Sequence, residues 1–367
     1  MAGAEKKTQR MRDALSHRQP DRIPAGEFFW TGFLKRARAE WGEDFDPYRA
    51  FDLDYTVIGP NMDPRIREFE VVSQSGEDIV VKTGFGATIR RSGDKPMPHF
   101  EAFSIAEPEQ MADFDFDAPD DPRRFFQGGD DQLNCVGDAL ARDIPSWDER
   151  LAPYVGDLAV FGGVCEPYEY LWRIVGSENA LIWMAAETAR LVEFVDRIGE
   201  FMAALCRAQI EAGKGRLAGM YIWGDVAYRN GMFFSPKQWR AIFKPHVKAL
   251  IDICHEHGLM VIYHGCGNAT AIFDDMVEIG LDGYNPLEAK ADLDVVELKR
   301  EYAGKLAFVG NIDVRVLESG DPDAIRREVE YKSQAGKGGG WVFQSDHSIS
   351  SGVAPESYKV AIEALRG

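Results

Sequence analysis

The sequence is poor in cysteine and contains no long apolar segment. Only five of its 367 residues are cysteines, and a small, odd and scattered set of this kind predicts reduced thiols, not a disulfide framework. No run approaches the roughly 18 apolar residues that a membrane span needs. The opening stretch MAGAEKKTQRMRDAL lacks the apolar core of a secretory signal. These absences predict a cytoplasmic protein that does not associate with membranes.

Positive charge is also scarce. The chain has 42 Lys and Arg residues against 60 Asp and Glu residues, and its formal net charge is −18. This balance argues against nucleic acid or an anionic membrane surface as the main partner. Apolar residues make up 45% of the chain, which is enough for a large core. The expected partner is therefore a small-molecule substrate.

A dinucleotide-binding fingerprint is missing as well, since no G-x-G-x-x-G follows the first predicted strand. Eight apolar segments instead predict strands that alternate with helices. They cover residues 22–29, 54–59, 158–164, 220–223, 260–263, 281–285, 306–309 and 341–344. Such alternation demands a parallel sheet with helical crossovers, and eight units predict a (β/α)8 TIM barrel. An open doubly wound sheet is the alternative.

Residues 66–92 interrupt this order. The segments IREFEVV and EDIVVKT alternate apolar and polar residues around SQSG, and GATIRRSGDK continues the pattern. A period of two broken by Gly and Ser is typical of an antiparallel β-hairpin or meander. We expect an insertion after the second strand, covering residues 62–155, within a single domain of residues 1–367.

Polar residues follow nearly every predicted strand, and catalytic groups of a barrel lie at the C-terminal ends of its strands. The candidate catalytic residues are Glu166, Asp225 and Tyr228. The candidate substrate-binding residues are Glu27, Tyr168, Asn285, Glu288, Asn311 and Asp346. Each has a structural alternative, such as capping a neighbouring helix.

The stretch HGCGN holds the strongest chemical signal. His264 and Cys266 are two residues apart, so in an extended chain they face the same side. With His347 after the last strand they form a set of one thiol and two imidazoles, which leaves a fourth position open on a catalytic zinc. The alternatives are a buried Cys266 that packs as a small hydrophobe, and a His347 that donates to a carboxylate substrate.

Several motifs together resemble a known superfamily. They are ALSHRQPDRIP, EPYEYLWRIVG, GDVAYRNGMFFSP, HGCGN, GYNPLE, GNID and GGGWVFQSDHSISSGVAPESY. They are similar to the uroporphyrinogen decarboxylase superfamily, which includes zinc-dependent corrinoid methyltransferases. The resemblance implies a (β/α)8 barrel with its pocket at the strand C-terminal ends, and a homodimer.

The resemblance differs between two branches of the superfamily, the decarboxylases and the methyltransferases. The decarboxylases carry an Arg-rich motif after the first strand, whereas this chain reads GEFFWTGFLKR and has Glu27 there. The methyltransferases bind zinc through His-x-Cys and a later Cys. His264 and Cys266 match the first two ligands, and His347 occupies the place of the third. Two imidazoles and one thiolate would leave zinc with a positive formal charge, and a more electrophilic zinc favours demethylation of a methoxylated substrate.

These features predict a zinc-dependent methyltransferase or demethylase that moves a methyl group between a small methoxylated substrate or thiol and a corrinoid on a separate protein. Glu166 and Asp225 would handle protons, and Tyr168 and Tyr228 would form aromatic walls. The alternative is a metal-free decarboxylase or lyase of an aromatic acid, using His347, Tyr228 and Asp225. A non-catalytic binding protein is the third possibility, but unpaired buried carboxylates are costly without a function.

Overall fold

The structure, a computed structural model, describes residues 3–92, 98–134 and 140–367. Cys135 and residues 93–95 of the predicted meander lie outside this range. The strands are β1 (Tyr55–Val57), β2 (Glu70–Ser75), β3 (Asp78–Lys82), β4 (Thr88–Arg91), β5 (His99–Ala102), β6 (Gly129–Asp131), β7 (Ala141–Ile144), β8 (Ala159–Cys165), β9 (Gly219–Trp223), β10 (Ala227–Tyr228), β11 (Gly231–Met232), β12 (Met260–His264), β13 (Gly283–Asn285), β14 (Ala307–Val309) and β15 (Trp341–Val342).

The helices come between and around these strands. They are α1 (Gly3–Leu15), α2 (Thr31–Trp41), α3 (Pro47–Ala50), α4 (Arg123–Phe126), α5 (Trp147–Leu151), α6 (Pro167–Val175), α7 (Ser177–Ala186), α8 (Thr188–Gly213), α9 (Pro236–Ile242), α10 (Lys244–Glu256), α11 (Phe273–Glu278), α12 (Val295–Glu301), α13 (Val314–Glu318), α14 (Pro322–Lys332) and α15 (Pro355–Arg366), with 3-10 turns at Pro108–Asp113, Thr270–Ile272, Ala289–Ala291 and Ser333–Gly336. Among the described residues, every helix is too short or too polar to cross a membrane.

The central element is a curled parallel sheet of seven strands in the order β1-β8-β9-β12-β13-β14-β15. From β8 onward its strands alternate with helices, as the apolar segments predict. Successive side chains along each strand point to opposite faces of the sheet, so the apolar residues form two separate clusters. Met260 and Ile262 of β12 pack inside the curl, while Val261 and Tyr263 pack outward against the helices. This alternation is the period of two expected of strands buried on both faces.

The segment that was expected to form the first strand makes only isolated bridges, Ala25 with Phe343 and Phe29 with Ile349. Pro24 has no N–H to give to a ladder. The segment nevertheless reaches both edges of the curled sheet. The Gly26 N–H donates to the Phe343 carbonyl at 3.0 Å, and the Asp54 N–H donates to the Ala25 carbonyl at 2.7 Å. It therefore occupies the place of an eighth strand without being a regular one.

The segment with alternating polarity forms a four-stranded antiparallel sheet in the order β2-β3-β4-β5. Strands β2 and β3 meet at a tight turn, with Ser75 opposite Asp78. The side chains of β2 are exposed along its whole length. A second antiparallel pair, β6 with β7, follows in the chain. Both sheets precede β8. Met62, before β2, and Leu133, between β6 and β7, line a cavity together with residues of β9 and β12.

Asp54, just before β1, ties the beginning of the chain to the sheet. Its fully buried carboxylate accepts the Ala25 N–H at 2.8 Å and a hydrogen bond from the Arg22 guanidinium at 3.2 Å. It also forms an ion pair with the buried Arg10 of α1. A buried carboxylate with this many donors stabilises the fold chiefly because each donor would otherwise lose its partner.

We predict that Asp54→Ala lowers the free energy of unfolding by about 3 kcal/mol, because it leaves the buried Arg10 charge with Asp21 alone. Urea denaturation followed by circular dichroism measures the change. Asp157→Ala, which removes an exposed partner of Arg49, is the control and should change stability by less than about 0.5 kcal/mol. If both substitutions lowered the free energy of unfolding by the same amount, that result would contradict the stabilising role of the buried Asp54 carboxylate.

Candidate active site

Three neighbouring strands bring their last residues to one place. In the parallel pairing, His264 of β12 lies opposite Trp223 of β9 and opposite Asn285 of β13. By the alternation along β12, His264 follows Ile262 on the inner side of the curl. The Trp223 and His264 rings lie 4.8 Å apart. The register therefore places an aromatic ring, an imidazole and an amide side by side at the C-terminal edge of the sheet.

The two nitrogens of His264 face different partners. Nδ1 lies 2.5 Å from Oδ1 of the fully buried Asn285. Nε2 lies 3.7 Å from Sγ of Cys266 and 3.9 Å from Oδ1 of Asp225. The ligand atoms of Asp225, His264 and Cys266 all lie within 4.8 Å of one another. The predicted pairing of His264 with Cys266 is thus present, and Asp225, predicted as a catalytic residue, joins them.

The turn after β12 has the shape that this grouping requires. The Cys266 N–H donates to Oδ1 of Asp225 at 2.8 Å, and the Gly267 N–H donates to Oε2 of Glu288 at 3.0 Å. Gly267 has a φ of +79°, and a Cβ there would come within 2.6 Å of the Tyr228 backbone. Only glycine fits such a position. Two carboxylates therefore hold the backbone on either side of the thiol.

His347, the predicted third ligand, is not part of this group. Its Nδ1 donates to the Ser348 carbonyl at 3.2 Å, and its ring contacts Trp30 at 5.6 Å between centroids. Asp225 follows β9, the direct neighbour of β12, whereas His347 follows β15. The segment after β15 holds the His347 ring against Trp30.

The donor set fits a zinc ion. Tetrahedral zinc with ordinary bond lengths holds nitrogen and sulfur ligands about 3.6 Å apart, and nitrogen and oxygen ligands about 3.4 Å apart. The observed separations are 3.7 Å and 3.9 Å. An imidazole whose second nitrogen is fixed by an amide is also the arrangement that metal-binding histidines adopt. Burial and the charges of Asp225 and Glu288 raise the pKa of the Cys266 thiol, so a cation would have to displace its proton.

A cavity of about 150 Å³ opens beside these residues. It is lined by Met62, Leu133, Cys165, Glu169, Arg173, Trp223, Gly224, Asp225 and His264. The one guanidinium in this wall, Arg173, forms an ion pair with Glu169 at 2.6 Å. The nearby Lys290 is likewise paired with Glu288, at 3.0 Å. The described wall therefore presents aromatic and thiol surfaces and a net negative charge.

Glu166, predicted to be catalytic, is completely buried at the end of β8. Neither of its carboxylate oxygens has a hydrogen-bond partner among the described residues. Burial first, and the charges of Glu169 and Asp225 next, raise its pKa well above the ordinary value. Its side chain lies against Gly224, where a Cβ would come within 2.2 Å of the Glu166 Cγ. A carboxyl group in this setting keeps its proton and has it available beside the cavity wall.

Four of the predicted substrate-binding residues have their polar atoms engaged with the protein. Asn311 accepts from the Val295 N–H and donates to the Leu287 and Leu293 carbonyls. Asp346 accepts the Ala289 and Val314 N–H groups, one on each oxygen, at 2.9 Å. Glu288 accepts from Gly267, and Asn285 holds His264. These side chains shape the loops around the cavity.

The two predicted aromatic walls both pack against Phe233, whose ring lies 6.3 Å from that of Tyr168 and 5.8 Å from that of Tyr228. Tyr168 is buried, and its ring packs against Phe234 and Phe243 at 4.8 Å and 5.6 Å. Tyr228 is 49% exposed on the β10–β11 hairpin and stacks on Phe233 at 5.8 Å. The aromatic residue beside His264 is instead Trp223, which sequence reasoning missed although it ends a predicted strand. Glu169 and Arg173 were missed because only their helical spacing of four residues signals a pair.

Glu27 ends the segment that joins the sheet edges, and it is buried with Ser345. Its carboxylate accepts the Phe28 and Ser345 N–H groups and the Ser345 hydroxyl at 2.9–3.0 Å. These donors favour the ionised form, but burial outweighs them and raises the pKa of Glu27 to about 8. Glu27 therefore keeps its proton at neutral pH and offers no cationic grip to a carboxylate substrate.

We predict that Glu27→Gln changes the pH dependence of stability. The folded chain keeps the Glu27 proton up to about pH 8, whereas the unfolded chain loses it near 4.5. Between these values the unfolded state binds fewer protons, so wild-type stability falls as pH rises. The free energy of unfolding of the variant minus that of wild type should increase with pH, by at most about 1.4 kcal/mol per pH unit. Urea denaturation between pH 5 and pH 8 tests this, and a difference independent of pH would refute it.

Known proteins share this architecture. The family model described as "Uroporphyrinogen decarboxylase (URO-D)" matches residues 79–367. The chain belongs to this family. A uroporphyrinogen decarboxylase of Thermus thermophilus is 29% identical over 190 residues, which is 50% of each chain. Another, from Shewanella piezotolerans, is 24% identical over 376 residues, covering 96% of this chain and 95% of the relative.

A solved structure has a backbone similar to that of this chain. The structure titled "methyltransferase from Methanosarcina mazei" is similar over 98% of both chains with a TM-score of 0.70, at 17% sequence identity. This similarity covers the whole described architecture and shows a common fold. The alignment with the Thermus protein spans only half of that relative's length, so the activity of the chain has to be argued from its own site.

Proposed function

We propose that this member of the URO-D family is a zinc-dependent methyltransferase or demethylase acting on a small methoxylated substrate or a thiol. The observation that supports it best is the convergence of His264 Nε2, Cys266 Sγ and Asp225 Oδ1 within 4.8 Å of one another. A thiol, an imidazole and a carboxylate are ligands that zinc accepts, and three protein ligands leave a fourth position for a substrate. We take the fold around this site to be a (β/α)8 barrel.

The residues of the chain have distinct parts in this proposal. His264, Cys266 and Asp225 would hold the zinc, which would act as a Lewis acid on the heteroatom that loses or gains the methyl group. When a methyl group leaves without the bonding electrons, the heteroatom keeps the pair and takes a proton. Glu166, buried beside Gly224 with a raised pKa, would supply it. Trp223 and Met62 would exclude water from the reacting atoms.

The size and charge of the cavity support a small substrate. The cavity volume of about 150 Å³ is below the roughly 300–1,000 Å³ typical of pockets for drug-sized ligands, which favours a small molecule over a porphyrinogen or a corrin ring as the ligand inside it. A corrinoid that accepts or donates the methyl group would therefore stay on a separate protein and approach the cavity from outside. The described cations near this wall, Arg173 and Lys290, are already paired with Glu169 and Glu288, which disfavours a polycarboxylate substrate.

The metal assignment can be tested directly. Purified protein should bind about one zinc per chain, and its affinity should rise with pH because the Cys266 thiol must lose its proton. Cys266→Ala, His264→Ala and Asp225→Ala should each weaken binding at least about 100-fold, whereas His347→Ala should stay within about threefold. Chelator competition gives the affinities, and His257→Ala is the control for loss of a histidine elsewhere.

Two results would contradict this assignment in different ways. Wild-type protein that binds no zinc would refute the metal site altogether. Loss of zinc in His347→Ala, with Asp225→Ala unchanged, would restore His347 as the third ligand and leave Asp225 as a group that orients the Cys266 backbone.

The names of the curated relatives favour a second function, decarboxylation without a metal. In that case Cys266→Ser should leave activity within about threefold, because the thiol would contact no reacting atom. Under the zinc proposal the same change should lower methyl transfer at least about 100-fold. The assays are carbon dioxide release from uroporphyrinogen and from aromatic acids, and demethylation of methoxylated aromatics and methylthiols with a corrinoid protein present. Decarboxylation that persists after zinc removal would decide for the second function.

A further inference from the structure

A row of hydrogen bonds runs from His264 across the inside of the curled sheet. His264 Nδ1 meets Asn285 Oδ1 at 2.5 Å, and Asn285 Nδ2 meets Gln344 Oε1 at 3.1 Å. Gln344 Oε1 also receives the Tyr55 hydroxyl at 2.5 Å, and the Tyr55 and Tyr221 hydroxyls lie 2.7 Å apart. The four residues beyond His264 are each at most 1% exposed. The row therefore joins the candidate metal site to the centre of the fold through buried side chains.

A backbone carbonyl fixes the direction of every bond in this row. Asn285 Nδ2 also lies 3.1 Å from the carbonyl oxygen of Val309. A carbonyl can only accept, so the Asn285 atom facing it must be the NH2 group, and Oδ1 must face His264. The second proton of the same NH2 group then requires an oxygen from Gln344. That oxygen in turn takes the Tyr55 hydroxyl proton, so the Tyr55 oxygen accepts from Tyr221.

The consequence for His264 follows from the first link. Because Asn285 Oδ1 accepts, His264 Nδ1 must carry a proton, and in the neutral ring Nε2 is left with the lone pair. Nε2 is the atom that faces Cys266 Sγ and Asp225 Oδ1. Turning the Asn285 amide over would set its one oxygen against both the Val309 carbonyl and Gln344 Oε1. Because these groups are buried away from bulk solvent, such contacts between acceptors make the reverse arrangement unfavourable.

We propose that Asn285, Gln344 and Tyr55 form a positioning relay that holds His264 as the Nδ1–H tautomer and aims its Nε2 lone pair at the metal position between Cys266 and Asp225. The part concerning the metal rests on the proposed function. The tautomer itself follows from the hydrogen bonds alone. None of the three relay residues touches the substrate cavity, and each acts through His264.

The tautomer can be measured in metal-free protein. In protein with ¹⁵N-labelled histidine, the His264 signal is identified among the seven histidines by its loss in His264→Gln. We expect an Nδ1 shift typical of a protonated nitrogen and an Nε2 shift typical of an unprotonated one. In Asn285→Leu the two forms should mix, whereas Asn285→Gln, which keeps an amide oxygen for Nδ1 and an NH2 group for Val309 and Gln344, should restore the wild-type pattern. A purely structural role of Asn285 would not give this rescue.

Zinc affinity is a second measurement of the relay, and the expected loss of affinity decreases with the distance of the substituted residue from His264. Removing a group that orients a metal ligand costs about 10- to 100-fold in affinity, and Asn285→Leu should fall in this range. Gln344→Leu should cost less, about three- to tenfold, because Val309 still orients Asn285. Tyr55→Phe, furthest away, should have the smallest effect, and Asn285→Gln, which keeps the amide, should bind within about threefold of wild type. Tyr358→Phe is the matched control, a buried tyrosine outside the relay.

The outcomes separate this proposal from the proposed function. If wild-type protein binds no zinc, the metal site fails, but the ¹⁵N shifts still decide whether the relay sets the tautomer. An unprotonated Nδ1 in wild-type protein overturns the relay, and so does an Asn285→Leu variant with wild-type shifts and wild-type zinc affinity. If Asn285→Leu does not fold, Gln344→Leu and Tyr55→Phe are measured in its place. Wild-type zinc affinity together with wild-type ¹⁵N shifts in both of these variants would overturn the relay.

Discussion

The parallel register of three strands determines the site. Pairing of β12 with β9 and with β13 sets His264 level with Trp223 and Asn285. A slip of one residue in either ladder would turn His264 outward into the helices, since neighbouring residues of a strand face opposite sides. The apolar residues inside the curl, such as Ile262 and Tyr221, make that slip costly. The chemistry at the edge of the sheet therefore depends on the packing of its interior.

Buried carboxylates are the second constraint, because the sheet edge holds several and each must be compensated. Asp346 and Glu288 accept backbone N–H groups and so fix the loops after β13, β14 and β15. Glu27 and Glu166 are instead buried deeply enough to keep their protons. Asp225 differs from both groups, because its carboxylate accepts the Cys266 N–H and also faces the His264 ring. Of the acids at this edge it is the one geometrically suited to a cation.

The sequence was sufficient for features that depend on local spacing. The alternation of strands and helices follows from apolar periodicity, and the joint orientation of His264 and Cys266 follows from their separation of two residues. Which distant residue lies beside them depends on the path of the loops after the strands, which a single sequence does not contain, and the structure groups Asp225 with them and not His347. The same limit of sequence-based prediction applies to Asn311. An amide side chain after a strand is equally typical of a residue that binds a substrate and of a residue that supports a loop. The segment at residues 22–29 has strand composition, yet Pro24 prevents a ladder.

The identity of the third ligand changes the chemical argument. With His347, zinc would have a positive formal charge, and that charge was the reason to favour methoxylated substrates over thiols. With Asp225, one carboxylate, one thiolate and one imidazole leave zinc formally neutral, as two thiolates and one imidazole do. Charge then no longer separates ether from thiol substrates. Under the proposed function, the wall of the cavity, with a volume of about 150 Å³ and its described cations paired, would then restrict the substrate more than the charge of the metal does.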